Sequence, residues 1–527
     1  MRRAGSAVAA GLAALVAVGV SAPVADAANE FPVGWEGFHT YTEMVAEIQA
    51  VAAAHPDIVS LSSIGKSYKG REIWTAKVSD NVNDDEAEPE VLFDGLHHAR
   101  EHMSLEMTLK IFHWLAEGYG SDSRVTDIVD SREVWIIFSV NPDGAEFDIK
   151  DGRYHLWRKN RQPVAGSTSI GTDLNRNYDY RWGCCGGSSS NPASLMYRGP
   201  KPFSAPETRR VRDFVASRVV GGWQQIRTHV TFHTSGRLVM WPYGYTLKNV
   251  PSDMSKHDHA AFVAMGKKMA SLNGYRPQQA SDLYISSGRL GDWLYGLHRV
   301  FTYTFELTVG SYPDDSTIGQ ETARNRSAVL YLIEQADCPW RAAGFAAADC
   351  GAFYDDLELG HGWRTNAQGT DTATDGRWQR GNPAGTSNHG PKQLGTTFSA
   401  SRALVTGLKA GSSVNANDVD GGLTSVTSPA IALPDPVGRL TFRYYLAHRP
   451  NASSGDAFRA VVMADDGDHV VFTERAAAND DDATWAGASI DIGAFAGQTI
   501  RIRFEAVDAG RTSTIEAAVD DVRVRRP

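Results

Sequence analysis

Cysteine is scarce in this 527-residue chain, with four in all. Cys184 and Cys185 are adjacent and have no further cysteine near them in sequence, which argues against a thiolate metal site. Positive charge is also short: 52 Lys and Arg stand against 62 Asp and Glu, a net charge of −10, and no basic run appears. A nucleic-acid binder shows a basic footprint, so that class is excluded. Beyond the N-terminus no segment stays apolar for the roughly 18 residues a membrane span requires. Hydrophobic residues make up 42% and charged residues 22%. These globular proportions exclude wholesale disorder, collagen and coiled coil. What is present is aromatic: 13 Trp, 18 Tyr and 20 Phe supply large cores and a ligand-lined cleft. The length suits two or three domains.

The N-terminus reads as an address. Met1-Arg2-Arg3 is basic, Ala7 to Val20 is apolar and small, and Ala25-Asp26-Ala27 is a small-x-small cleavage pattern. This layout predicts a secretory signal peptide over residues 1–27 and an exported protein. The competing membrane anchor is disfavoured by the shortness of the apolar run. Export suits disulfides, and a Cys338–Cys350 bond would close a short loop worth about 3 kcal/mol. Cys184 and Cys185 bond to each other or pair elsewhere.

Two textures follow. Over residues 36–337 helical and strand patterns alternate. Thr40 to Ala54 carries Met44, Ile48 and Val51 on one stripe and stops at His55-Pro56. Helical patterns recur at Met103 to Tyr119, Pro206 to Val219, His257 to Leu272 and Thr322 to Ala336. Glu90 to Asp94, Glu133 to Val140, Val230 to Phe232, Leu238 to Trp241 and Phe301 to Leu307 read as strands. This alternation predicts an α/β fold, a sheet with helices on both faces and a ligand site at strand ends. After Cys350 the period becomes two. Leu440, Phe442, Tyr444 and Leu446 alternate with more polar neighbours, as do Ile500, Ile502 and Phe504. That predicts an all-β sandwich over residues 353–527, joined through an Ala/Gly-rich linker at 341–352 to a first domain at 28–340.

The most informative stretch is Asp94-Gly95-Leu96-His97-His98-Ala99-Arg100-Glu101-His102, between a strand and a helix. Two metal readings fit it. In one, His98 and Glu101 are ligands and the third lies far off in the chain. In the other, His98 and His102 lie on one helical face with Glu101 as base. A plain polar helix start fits as well.

Further motifs follow in order: Trp157-Arg158-Lys159-Asn160-Arg161, Asp173-Leu174-Asn175-Arg176-Asn177, Thr231-Phe232-His233-Thr234, Tyr284 with Asp292-Trp293, and Thr304-Phe305-Glu306-Leu307. Together with His98 and Glu101, this set resembles the zinc metallocarboxypeptidases of the funnelin type. The Trp182-Gly183-Cys184-Cys185-Gly186-Gly187 loop is similar to that of bacterial secreted members. The resemblance covers residues 36–337 and implies an eight-stranded mixed sheet. It also implies one catalytic Zn2+ on His98, Glu101 and His233. The alternative with His102 as ligand leaves His233 and the strand-borne Glu306 unexplained.

The resemblance implies roles for the rest. Three protein ligands leave an open fourth position, the catalytic type of zinc site. Glu306 is the expected general base and Arg158 the expected oxyanion partner. Asn175 and Arg176 are expected to receive the terminal carboxylate of a peptide or protein. Tyr284 is expected to cap the bound end, and Arg100 to hold substrate further along. Tyr243-Gly244, Arg289, Leu290, Gly291 and Thr304 are expected around the departing side chain. Gly291 leaves room there. Arg289 either favours acidic C-termini or points to solvent. The first helix begins so soon after Ala27 that no folded pro-segment fits, so activity on export is expected.

The C-terminal part loosely resembles jelly-roll modules of secreted hydrolases. That implies contact with a surface or polysaccharide, for which Trp363, Trp378 and Trp485 are candidates, although core positions suit them better. It also implies a possible Ca2+ site, with Asp356 and Asp521 as candidate ligands. Two rival functions remain at this stage: a catalytically silent scaffold that binds surfaces or glycans, and a zinc hydrolase of cell-wall peptides.

Overall fold

Helix α1 (Tyr41–Ala54) begins where a reciprocal cap forms. The Thr40 side chain accepts from the Glu43 amide, and the Glu43 carboxylate accepts from the Thr40 amide. Its Met44, Ile48 and Val51 are buried, as the stripe predicts. The protein is described by a computed structural model covering residues 30–525 except 87, 221–222, 410–412 and 434–436. The expected signal peptide therefore lies outside the described residues.

The first part is built on one eight-stranded sheet. Its strands are β1 (Val59–Lys66), β2 (Glu72–Val78), β3 (Glu90–Asp94), β4 (Glu133–Ile137), β5 (Ile226–Thr234), β6 (Leu238–Trp241), β7 (Arg276–Gln279) and β8 (Phe301–Leu307). They lie in the order β1-β2-β4-β3-β5-β8-β6-β7. The central run β4, β3, β5, β8 is parallel, and the pairs β1/β2, β2/β4 and β8/β6 are antiparallel. Buried on both faces, β3 has the apolar centre Val91-Leu92-Phe93, whereas β8 alternates Phe301, Tyr303 and Phe305 with Thr302, Thr304 and Glu306. Helices α2 (Met103–Gly118), α3 (Pro206–Ser217), α4 (Lys256–Asn273), α5 (Leu290–His298) and α6 (Ile318–Glu334) cover the sheet. One core gathers α1, α2, α4 and α6, and a second gathers α3 and α5 around Leu92, Ile137 and Trp293. The two cores occupy opposite faces, giving the mixed α/β architecture.

The C-terminal part consists of antiparallel strands in two sheets. One runs from Trp378–Gly381 through Ala403–Thr406, Ile515–Arg525 and Arg439–His448 to Ala486–Asp491. The other centres on Gly422–Thr427, Thr499–Asp508, Ala457–Ala464 and Gly467–Arg475. Phe442, Phe458 and Phe504 meet between them, as facing sheets require. Residues 341–352 are more structured than a linker. They carry a short helix at Ala346–Asp349 and the start of a strand, Gly351–Asp355, that pairs with the last strand.

The two parts meet at the C-terminal end of α5. Arg299 Nε lies 3.7 Å from Asp356, Arg523 reaches Asp349 at 3.3 Å, and Trp340 packs edge-on against Tyr354. Asp356 and Asp521, the calcium candidates, thus each face a guanidinium, since Arg523 also stands 3.6 Å from Asp521. Neither joins a converging group of three metal donors among the described residues. Trp378 is buried, Trp363 stacks on Phe504, and Trp485 packs against Tyr445 and Phe398. The three tryptophans are therefore core or part-buried rather than a displayed aromatic surface. Cys184 bonds Cys185, and Cys338 bonds Cys350. No helix among the described residues is long and apolar enough to cross a membrane.

Candidate active site

The site forms where the parallel strands end. After β3 the chain turns at Gly95, where a Cβ would come within 2.6 Å of the Ser104 carbonyl in the first turn of α2. Ser104 locks that turn by accepting from the Leu96 amide and donating to the Glu101 carbonyl. His98 and Glu101 are delivered by this tight strand-to-helix connection. His233 comes from the far end of β5, more than a hundred residues away in sequence.

The three side chains converge. His98 Nδ1 and Glu101 Oε1 are 2.8 Å apart, His233 Nδ1 and Glu101 Oε2 are 2.8 Å apart, and the two Nδ1 atoms are 3.0 Å apart. All three are buried. Two imidazole nitrogens facing one another across a carboxylate form a donor set suited to a divalent cation. Burial lowers His233 to about 4, so its imidazole is neutral, as a ligand must be. Burial opposes the Glu101 charge, yet the adjacent histidines hold its carboxyl well below the usual range. His102 turns elsewhere, with Nε2 at 3.1 Å from Asp148, so it does not share this cluster.

The outer ring nitrogens are also engaged. His98 Nε2 is 3.1 Å from Asp173 Oδ1, and His233 Nε2 is 3.1 Å from the Asn175 amide nitrogen. Asp173 additionally accepts from Arg158 at 3.0 Å, and Arg158 stands 3.8 Å from Glu101. Asp173 is fully buried, yet Arg158 and His98 keep its carboxyl ionised, well below its ordinary value. Sequence reasoning quoted Asp173 within its motif but gave it no task. The signal available was its place two residues before Asn175. A further network lies beneath the site: Asp94 accepts from Thr231 at 2.7 Å and lies 2.6 Å from His229 and 3.0 Å from His97.

Glu306 is set beside this cluster by sheet register, because its Cα partner on β5 is His233 itself. Burial, reinforced by the Glu101 charge, raises the Glu306 carboxyl to about 8. A cation on Glu101 would cancel part of that repulsion.

Around the cluster stand the residues expected to form a carboxylate receptor. Arg176 is buried, and it donates Nε to the Gly187 carbonyl at 2.8 Å, Nη1 to its neighbour's carbonyl and Nη2 to the Tyr284 hydroxyl at 3.0 Å. Gly187 must be glycine, since a Cβ there would collide with the Ile285 carbonyl. Asn175 Oδ1 accepts from the Leu290 amide, tying the receptor to the start of α5. Tyr284 remains 45% exposed, so its ring stands at the rim. Arg100 is also at the margin, near the Leu156 carbonyl at 3.5 Å. A Cβ added at Gly291 would meet only Thr302 among the described residues, at ordinary contact distance. Arg289 does not point to solvent as the blander expectation had it. It is 5% exposed and donates to Ser286 Oγ at 3.2 Å.

A sequence model of the family described as zinc carboxypeptidase matches residues 44–328, more than half of the chain. The chain belongs to the zinc carboxypeptidase family. Among its relatives is a zinc carboxypeptidase of Saccharothrix mutabilis subsp. capreolus, 46% identical over 330 residues, covering 60% of this chain and 73% of the relative. Carboxypeptidase A1 of Rattus norvegicus is 32% identical over 273 residues, and carboxypeptidase B of Bos taurus is 33% identical over 277. These alignments cover 51% and 52% of this chain, and the chain spans 62% of each of the two mammalian proteins. Among solved structures, thrombin activatable fibrinolysis inhibitor superposes with a TM-score of 0.51 at 28% identity, covering 57% of this chain and 74% of that one. A carboxypeptidase A from Helicoverpa armigera gives 0.51 at 26%, covering 58% and 75%. As a zinc carboxypeptidase family member the chain is a metallocarboxypeptidase, and its His-Glu-His cluster fits the metal that the family name implies. The C-terminal β-sheets lie outside the matched segment.

Proposed function

We propose that this metallocarboxypeptidase is secreted and removes the C-terminal residue of peptides and proteins. In this reading residues 1–27 are the export signal, 28–340 the catalytic part, 341–352 the connection and 353–527 an accessory β-sandwich. His98, Glu101 and His233 would hold one zinc ion, which would supply Lewis acidity to the scissile carbonyl and the attacking water. Glu306 takes the proton from that water and passes it to the departing amine. Arg158, oriented by Asp173, receives the developing oxyanion charge. Arg176 and Asn175 bind the terminal carboxylate, and Tyr284 closes over it. Arg100 holds the chain further from the cleavage point.

The observation that carries this reading is the convergence of His98, Glu101 and His233 beside Glu306, with a buried guanidinium at Arg176 that has no carboxylate within 4.0 Å among the described residues. An endopeptidase has no use for a buried cation of that kind. The contacts between the two parts lie at the C-terminal end of α5, whereas the receptor touches its first residue. That separation supports an open cleft. The test is hydrolysis of an amino-blocked dipeptide. Cleavage should stop with a chelator, return with zinc, and fail when the C-terminal carboxyl is amidated. Cleavage of the amidated peptide at an equal rate would rule out exopeptidase action.

A further inference from the structure

Three guanidiniums enclose the cleft, and they are not equivalent. Arg158 is neutralised by Asp173 at 3.0 Å. Arg176 and Arg289 are both buried, and among the described residues neither has a carboxylate within 4.0 Å. Their hydrogen bonds go only to neutral acceptors, namely two carbonyls and the Tyr284 hydroxyl for Arg176, and Ser286 Oγ for Arg289. A buried cation with no carboxylate at ion-pair distance is costly even where carboxylates such as Asp292 act on it from further off, and it persists where a ligand supplies the close charge. The first such cation has an evident counter-ion in the C-terminal carboxylate. The second calls for another.

The position of Arg289 is built. It precedes α5 directly, and the next amide, Leu290, is held by Asn175 of the receptor. Its side chain runs past Gly244, where a Cβ would sit 2.8 Å from Arg289 Cδ and 3.1 Å from Ser286 Oγ. Only glycine leaves that path open. The nearby Asp292 carboxylate is occupied by the amides of Gly244 and Tyr245 at 2.8–3.0 Å. Asn175, which holds the Leu290 amide, also has its side-chain nitrogen 3.1 Å from His233 Nε2, so Arg289 adjoins the cluster.

We propose that Arg289 is a specificity-determining residue that selects a C-terminal residue with an acidic side chain, so that the preferred substrate ends in a dicarboxylate, glutamate or aspartate. Arg176 takes the α-carboxylate and Arg289 the side-chain carboxylate. This inference rests on the carboxypeptidase reading above. It extends that reading from peptides in general to one charge class.

The experiment compares zinc-loaded protein on amino-blocked dipeptides ending in Glu, Gln, Phe and Lys. Glu and Gln share a shape and differ in charge, so their kcat/KM ratio isolates the cation within one preparation. The wild-type ratio should exceed about tenfold, the usual scale for one charged hydrogen bond. It should fall to about one in Arg289→Gln and be partly kept in Arg289→Lys. A wild-type ratio near one, or a ratio unmoved by Arg289→Gln, overturns the proposal. A separate arm measures binding without turnover, titrating Glu306→Gln protein with N-acetylglutamate and N-acetylglutamine. Tighter binding of the dicarboxylate, lost when Arg289→Gln is added, supports the pocket even if no dipeptide is cleaved, which would count against the hydrolytic reading alone. Equal binding of the two acids overturns the pocket whatever the activity.

Discussion

Glu306 and His233 are cross-strand partners: parallel register places their Cα positions side by side at the ends of β8 and β5. The pairing fixes a carboxylate next to a metal ligand without any loop to position it. In Glu306→Gln the fold and the donor set should be untouched. We expect bound zinc to be retained and kcat to fall by about two to four orders of magnitude, the span of general-base catalysis. Metal analysis beside steady-state kinetics checks both halves.

Asp173 bridges His98 Nε2 and Arg158, so in the proposed reading it orients a ligand and the oxyanion partner together. Asp173→Asn keeps the shape but removes the charge. Zinc affinity should drop about 10–100-fold, the usual cost of losing such an outer partner. Chelator competition followed by metal content gives the number, and circular dichroism shows whether the fold is intact.

In the proposed reading Arg176 supplies the charge for a free C-terminus. Arg176→Met should lower kcat/KM by roughly 10–100-fold, reflecting a lost charged hydrogen bond of about 1.5–3 kcal/mol. Amidated and free-acid peptides should then become nearly indistinguishable, which a paired assay reads directly.

His39 is a structural switch with a definite sign. Burial alone would lower its pKa, but hydrogen bonds with Glu106 and Glu47 raise it from 6.5 to about 10. A raised folded-state value means the contribution is full below pH 6.5 and is lost as pH climbs towards 10. His39→Gln should therefore cost about 2 kcal/mol at pH 6 and progressively less at higher pH. Denaturant unfolding of both proteins at pH 6, 8 and 10 would expose the trend, and a cost that grows with pH would contradict it.

Much of this was legible from residue order. Helices α1, α2, α4 and α6 carry clear stripes, and β3 has a continuous apolar centre because both its faces are covered. The edges were not legible. In β1 the serines face outward and the strand lies at the sheet margin, so its alternation is weak. The Arg-Pro-Gln-Gln of β7 has no strand pattern of its own and is recruited by pairing with β6. Helix α5 holds Gly291 and Gly296, and packing of Trp293 and Leu294 rather than propensity makes it helical. The candidate metal ligands, Glu306 and Arg176 stood out because the chemistry proposed for them needs those residue types. The burial of Arg289 did not, since an isolated arginine defaults to solvent until Gly244 and Ser286 are seen around it.

The central claim is that His98, Glu101 and His233 together hold one ion. The most direct measurement is the zinc content of purified, dialysed protein, wild type against His233→Ala. One zinc per chain in the first and none in the second is the predicted outcome. Zinc retained in full by His233→Ala, or no zinc taken up by the wild-type protein, would contradict it.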